Sequence, residues 1–154
     1  MRELTVDAVI RLTCSALERT CFMMAQPSSD GDASTPLPTA TKFVTIAYSG
    51  PENGTVVLAS SEGFARSLAA SLVGESPESL DPSAADDALR ELSNIVAGSL
   101  ISELGGARCP FALGLPASHS TLPPVVGAAA AAVLDAESER LEVYWLREAR
   151  SLAA

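Results

Sequence analysis

The stretch DDALRELSNIVAGSLISELGG, Asp86 to Gly106, decides how the chain is read. A helix advances about 100° per residue. At that pitch Leu89, Leu92, Val96 and Leu100 form one apolar stripe suited to burial. Asp87, Glu91, Asn94 and Gly98 fall on the other side, within an arc of roughly 60°. Asp81 followed by Pro82 predicts the start of this helix, with proline suited to the first helical position. Gly105 and Gly106 predict its end. The polar strip is at odds with helix propensity. Asparagine competes for backbone hydrogen bonds, and a glycine in mid-helix costs about 1 kcal/mol relative to alanine. Two such departures on one exposed face are not explained by packing, and that kind of local inconsistency is what a functional surface often shows. On its own an E-x-x-N pair is a weak motif, because exposed Glu and Asn on a helix usually serve solubility.

Working outward, ELTVDAVIRLTCSALERTCFMM has helical periodicity, with Val6, Val9, Ile10, Leu17 and Cys21 returning to one side. The segment that follows, about 26–41, is rich in Pro, Ser, Asp and Gly and reads as an exposed flexible loop. KFVTIAYS and TVVLAS flank GPENG and predict a β-hairpin. Ser61, Glu62 and GFARSLAASLVG predict a short helix ending near Gly74, followed by a polar connection. CPFALGLP has room for a short strand. PPVVGAAAAAVLD pulls two ways: its alanines favour helix, its valines and prolines extended chain. RLEVYWLRE alternates, with Leu141, Val143 and Trp145 on one face, and DAES before it reads as a turn holding Asp135 and Glu137. A terminal hairpin is expected. The order of elements predicts a single α+β domain over residues 1–154, its mostly antiparallel sheet covered on one face by two long helices.

The chain has 154 residues, 47 % of them hydrophobic, which is enough for one domain with a core. Its formal charge of −9 opposes binding to phosphate backbones or anionic lipid, and no Lys/Arg cluster offsets it. Nucleic-acid and membrane partners are therefore not expected. Charges interrupt the N-terminus, and no apolar run of about 18 residues occurs, so a cytoplasmic location is expected. Cys14, Cys21 and Cys109 do not form a disulfide framework. Cys14 and Cys21 read as core packing, with metal or redox chemistry as the alternative. His119 has no evident catalytic or zinc partners and reads as a loop histidine. Trp145 is either core or part of a subunit contact.

The segment from Asp87 to Gly98 reads D-ALR-E-LS-N-IVA-G. It resembles the signature of the CheX/CheC chemotaxis phosphatases, which hydrolyse the aspartyl phosphate of the response regulator CheY. The first helix, the hairpin, the helix before the polar connection and PPVVG also match the family's layout. E-x-x-N occurs once, which resembles CheX more than the two-copy CheC branch. The family usually has a proline a little over twenty residues after the Asn. Pro116 stands close to that spacing, while Pro123 and Pro124 carry the PPVVG context, so the path between Gly105 and Pro123 departs from the pattern.

The resemblance implies roles. Asn94 would orient the attacking water, and Glu91 would pair with the active-site Lys of the regulator. Asp87 and Gly98 would complete the partner-facing strip. No cofactor of its own is expected, since Mg²⁺ resides on the phosphorylated CheY-like receiver. Proteins of this type are typically dimers, so a homodimer is expected. The alternative is a non-catalytic module of the same fold that docks a receiver domain or a motor-switch component.

Overall fold

The computed structural model describes residues 3–28, 40–125 and 127–148. Helix α1 spans Val6–Cys21, with the Thr5 hydroxyl accepting the Ala8 N–H at its start. Val9, Leu17 and Cys21 are buried as expected, whereas Val6, in the first turn, is exposed. Strands β2 (Lys42–Ser49) and β3 (Gly54–Ser60) form the expected hairpin. Helix α2, Glu62–Val73, is capped by the Ser61 side chain and ends on Gly74 at φ 73°, a left-handed conformation that glycine adopts without strain.

Helix α3 covers Ala84–Gly105 and is capped differently from the sequence expectation. Pro82 lies in a turn before the helix, not at its first position. The Asp81 carboxylate accepts from both the backbone N–H and the hydroxyl of Ser83. Those bonds hold its pKa below the usual carboxylate range, the backbone one most.

The terminal hairpin is present as β6 (Ala130–Ala136) and β7 (Glu139–Arg147). The alanine run is therefore strand. Its residues Ala130, Ala131 and Ala132 pair with Trp145, Tyr144 and Val143 of β7, while a short edge strand β1, Ala25–Pro27, pairs further along β6 at Leu134, Asp135 and Ala136. Sheet pairing thus overrides the helix propensity of alanine. Strand β1 occupies the beginning of the segment expected to be loop; residues 29–39 of that segment lie outside the described residues. The hairpin turn is Glu137–Ser138, both at positive φ, as a two-residue turn matching the strand twist requires. Asp135 belongs to β6 instead of the turn, and its carboxylate faces Arg140 at 3.9 Å.

Among the described residues the strands make one antiparallel sheet in the order β1-β6-β7-β3-β2. The outer edge of β2 is shared by two short strands, β4 (Ala112–Leu113) and β5 (Ala117–His119). All three helices, not only the two long ones, pack on one face. There Val44, Ile46, Tyr48, Leu58, Val143 and Trp145 meet the apolar sides of α1, α2 and α3. Trp145 is core, 2 % exposed, and its indole N–H donates to the Tyr48 hydroxyl at 2.6 Å. Cys14 and Cys21 belong to this core too, and the described cysteines are free thiols. The opposite sheet face carries a smaller cluster, Phe43, Val57, Ala59, Ala131 and Tyr144, covered by Val125.

Candidate functional site

Packing sets the orientation of α3. Leu89, Leu92, Val96 and Leu100 are fully buried at 0 % exposure, so the helix cannot rotate without exposing four side chains. Asp87, Glu91 and Asn94 consequently face outward, with Gly98 half-buried one turn further on. The four residues of the polar strip are brought together on one ridge.

Their surroundings differ. Among the described residues Glu91 and Asn94 make no ion pair or side-chain hydrogen bond, and both are exposed. Asp87 is engaged: its carboxylate pairs with Arg90, whose other terminal nitrogen donates to the Ser118 hydroxyl of β5 at 2.6 Å. A carboxylate and a carboxamide thus stand one turn apart, free of internal partners and held on a rigid, core-anchored helix.

The ridge has two flanks. Toward α1 the surface dips into an open depression lined by Leu12, Ile95, Gly98, Ser99 and Ser102 beside Asn94. On the other flank runs the segment containing β4 and β5. Its path is set at the end of α3, where Pro110 and Phe111 fold back over Gly105. A Cβ at Gly105 would lie 2.8 Å from Pro110 Cδ, so a larger residue would push this segment away. Phe111 meets the Tyr48 ring edge-on, with centroids 5.8 Å apart. Leu113 then reaches Gly98, its Cδ1 lying 3.9 Å from where a Cβ would sit. His119 lies on β5 instead of in a loop, its ring nitrogen 2.8 Å from the Thr45 hydroxyl.

Sequence reasoning singled out the ridge but missed its neighbours Arg90, Ser118, Leu113 and Leu12. Arg90 lies on the same helix, three residues after Asp87, and the other three converge only through the sheet edge and the α1–α3 contact. The visible trace was CPFALGLP, a short apolar stretch broken by Gly114 and Pro116. Among the described residues there is no group of three His, Cys, Asp or Glu side chains placed to hold a metal ion, and no helix long and apolar enough to cross a membrane.

The architecture, a helix-covered antiparallel sheet displaying an acid and an amide on its longest helix, defines a class. The family model of the chemotaxis phosphatase CheX matches residues 43–126, just over half of the chain. The chain belongs to the CheX family.

Solved structures agree on the fold. The chain resembles the chemotaxis protein CheX from Vibrio vulnificus at TM-score 0.76 and 17 % identity, covering 96 % of this chain and 99 % of that one. It resembles CheX from Desulfovibrio desulfuricans at TM-score 0.73 and 13 % identity, covering 91 % and 96 %. A third similar structure is the CheX–CheY–BeF3–Mg²⁺ complex from Borrelia burgdorferi, at TM-score 0.68 and 15 % identity, covering 96 % and 100 %. No curated protein matches the chain.

Proposed function

We propose that this protein hydrolyses the aspartyl phosphate of a CheY-like receiver domain, using Glu91 and Asn94 as one rigid unit. The observation that carries this reading is the pair itself. In a chain of the CheX family, an acid and an amide stand exposed one turn apart on α3, free of internal partners.

The chemistry asks little of the added protein. An aspartyl phosphate is a reactive acyl phosphate, and a receiver already carries Mg²⁺ around the phosphoryl oxygens, so what remains is an aligned water for in-line attack. The Asn94 carboxamide both donates and accepts hydrogen bonds and carries no charge. A carboxylate at that position would repel the phosphoryl oxygens. Glu91, one turn back, pairs with the receiver's active-site Lys and fixes the register of the two proteins. Both groups enter together because α3 holds them on one face. The chain needs no metal of its own, since the receiver supplies the Mg²⁺. The Borrelia burgdorferi relative is bound to CheY with BeF3 and Mg²⁺, and beryllofluoride has the shape and charge of a phosphoryl group. That supports a receiver as the partner here.

A homodimer completes the proposal. With Trp145 buried, the surface needing cover is the edge strand β1 with exposed Phe22 and Met24 beside it. A monomer mass by light scattering at micromolar concentration would count against it.

The test is the decay of a pre-phosphorylated receiver, taken from the receiver encoded nearest to this protein. Wild type accelerates decay, Glu91→Ala weakens both binding and turnover, and Asn94→Ala binds without turnover. Phosphate release by Asn94→Ala at the wild-type rate would refute the mechanism. Binding by wild type with no acceleration would make the protein a docking module.

A further inference from the structure

The edge of the sheet beside the ridge is irregular in a way the fold does not require. Leu113 pairs with Tyr48, and Ala117 pairs with Thr45. Between those pairs β2 contributes two residues, Ile46 and Ala47, while the facing segment contributes three, Gly114, Leu115 and Pro116. The extra residue is a β-bulge, a device that re-aims a side chain and often sits beside a functional site. The Gly114 N–H still donates to the Ala47 carbonyl at 2.8 Å. Pro116 has no N–H with which to restore the ladder. Leu115 is the residue turned out, at 91 % exposure, higher than Phe22 at 83 %.

A single exposed leucine is ordinary on a protein surface. Position makes this one different. The bulged segment meets α3 at two points: Leu113 lies beside Gly98, and Arg90 donates a hydrogen bond to Ser118. Gly98 and Arg90 are about 12 Å apart along the helix axis. The five steps from Leu113 to Ser118 span at most about 17 Å when extended. The segment therefore runs antiparallel to α3 past the level of Asn94 and Glu91, and the small slack is taken up by the bulge. Asp87 steadies this arrangement by holding Arg90.

We propose that Leu115 is an apolar docking contact for the same receiver domain that the ridge addresses, on a segment that the Arg90–Ser118 hydrogen bond joins to α3. The inference rests on the phosphatase reading for the identity of the partner. Continuity with the ridge argues for that occupant: a domain placing its phosphorylated Asp over Asn94 must cover ground on both flanks of α3, and the bulge forms one of them. The arrangement divides the labour. Glu91 and Asn94 supply polar groups that would be poorly satisfied if loosely seated, and Leu115 supplies non-directional contact area that excludes water at the rim.

The experiment titrates the nearest-encoded receiver, loaded with beryllofluoride and Mg²⁺, against wild type, Leu115→Ala, Leu115→Asp and Val73→Asp, and measures phosphate release from the phosphorylated receiver. Val73, on α2, is an exposed apolar control. Thermal melts confirm that each variant folds. Leu115→Ala is expected to weaken binding about tenfold, and Leu115→Asp more, with the loss in turnover falling on KM and not on kcat. Val73→Asp is expected to bind as wild type does. Unchanged binding by Leu115→Asp would overturn the inference while leaving the phosphatase reading intact. An equal loss in Val73→Asp would also overturn it, since added negative charge would then suffice. Failure of wild type to bind or dephosphorylate the receiver would overturn the inference together with the reading beneath it.

Discussion

The two sides of α3 obey different rules. The inner side, with Leu89, Leu92, Val96 and Leu100 at 0 % exposure, is chosen for volume and apolarity. The outer side, with Asp87, Glu91, Asn94 and Gly98, includes two residues that weaken a helix, and its Glu91 and Asn94 are exposed. The stripe stabilises the helix enough to tolerate the ridge. Burying a leucine is worth roughly 1.5–3 kcal/mol, so the buried stripe as a whole outweighs the propensity penalties of the Asn and the Gly, at most about 1 kcal/mol each. The same anchoring fixes the direction in which Glu91 and Asn94 point.

Four substitutions test the difference between the two sides. Leu92→Ala should have the largest effect on stability, a loss of about 2–5 kcal/mol from transfer and cavity terms, read as a lowered denaturant midpoint. A loss under 1 kcal/mol would mean that the stripe does not anchor the helix. Asn94→Ala should leave that midpoint where it is and lower phosphatase turnover by roughly 100-fold, equivalent to about 2.7 kcal/mol of barrier. A destabilised Asn94→Ala with normal turnover would invert the assignment of the two sides.

The third substitution crosses the division. Ser93 is fully buried, and its hydroxyl has no hydrogen-bond partner among the described residues. Ser93→Ala removes an unsatisfied polar group and improves helix propensity, so stability should rise by about 1 kcal/mol. A loss of stability would show that the hydroxyl is satisfied by bound water.

Gly98→Ala carries the smallest effect. The nearest atom to the added Cβ would be Leu113 Cδ1 at 3.9 Å, an ordinary contact. The substitution should therefore gain up to about 1 kcal/mol while weakening receiver binding severalfold, because the gap beside Asn94 is filled. Unchanged binding in the stabilised variant would remove Gly98 from the docking surface.

Much of this molecule was legible in its sequence. The three helices, their caps at Ser61 and Gly74, the β2–β3 hairpin and the terminal hairpin each rest on patterns spanning fewer than about 25 consecutive residues. The ridge was legible for the same reason, since i, i+3, i+4 and i+7 positions align in any helix. What escaped was non-local. Strand β1 is three residues of a polar segment, and only the free edge of β6 makes them a strand. Likewise β5 and the bulge exist because β2 offers an edge more than sixty residues away in sequence. The alanine run was ambiguous until its pairing with β7 was known.

By itself, then, the sequence determined which side of α3 is apolar and which side carries Glu91 and Asn94, because helical geometry is written in adjacent residues. Tertiary structure alone decided that Arg90, which holds Asp87 from the same helix, also reaches Ser118 on β5, and that a bulged edge carrying Leu115 is fastened beside Glu91 and Asn94. Those facts depend on hydrogen bonds between distant segments, whose partners are selected by the closing of the sheet and not by any local pattern.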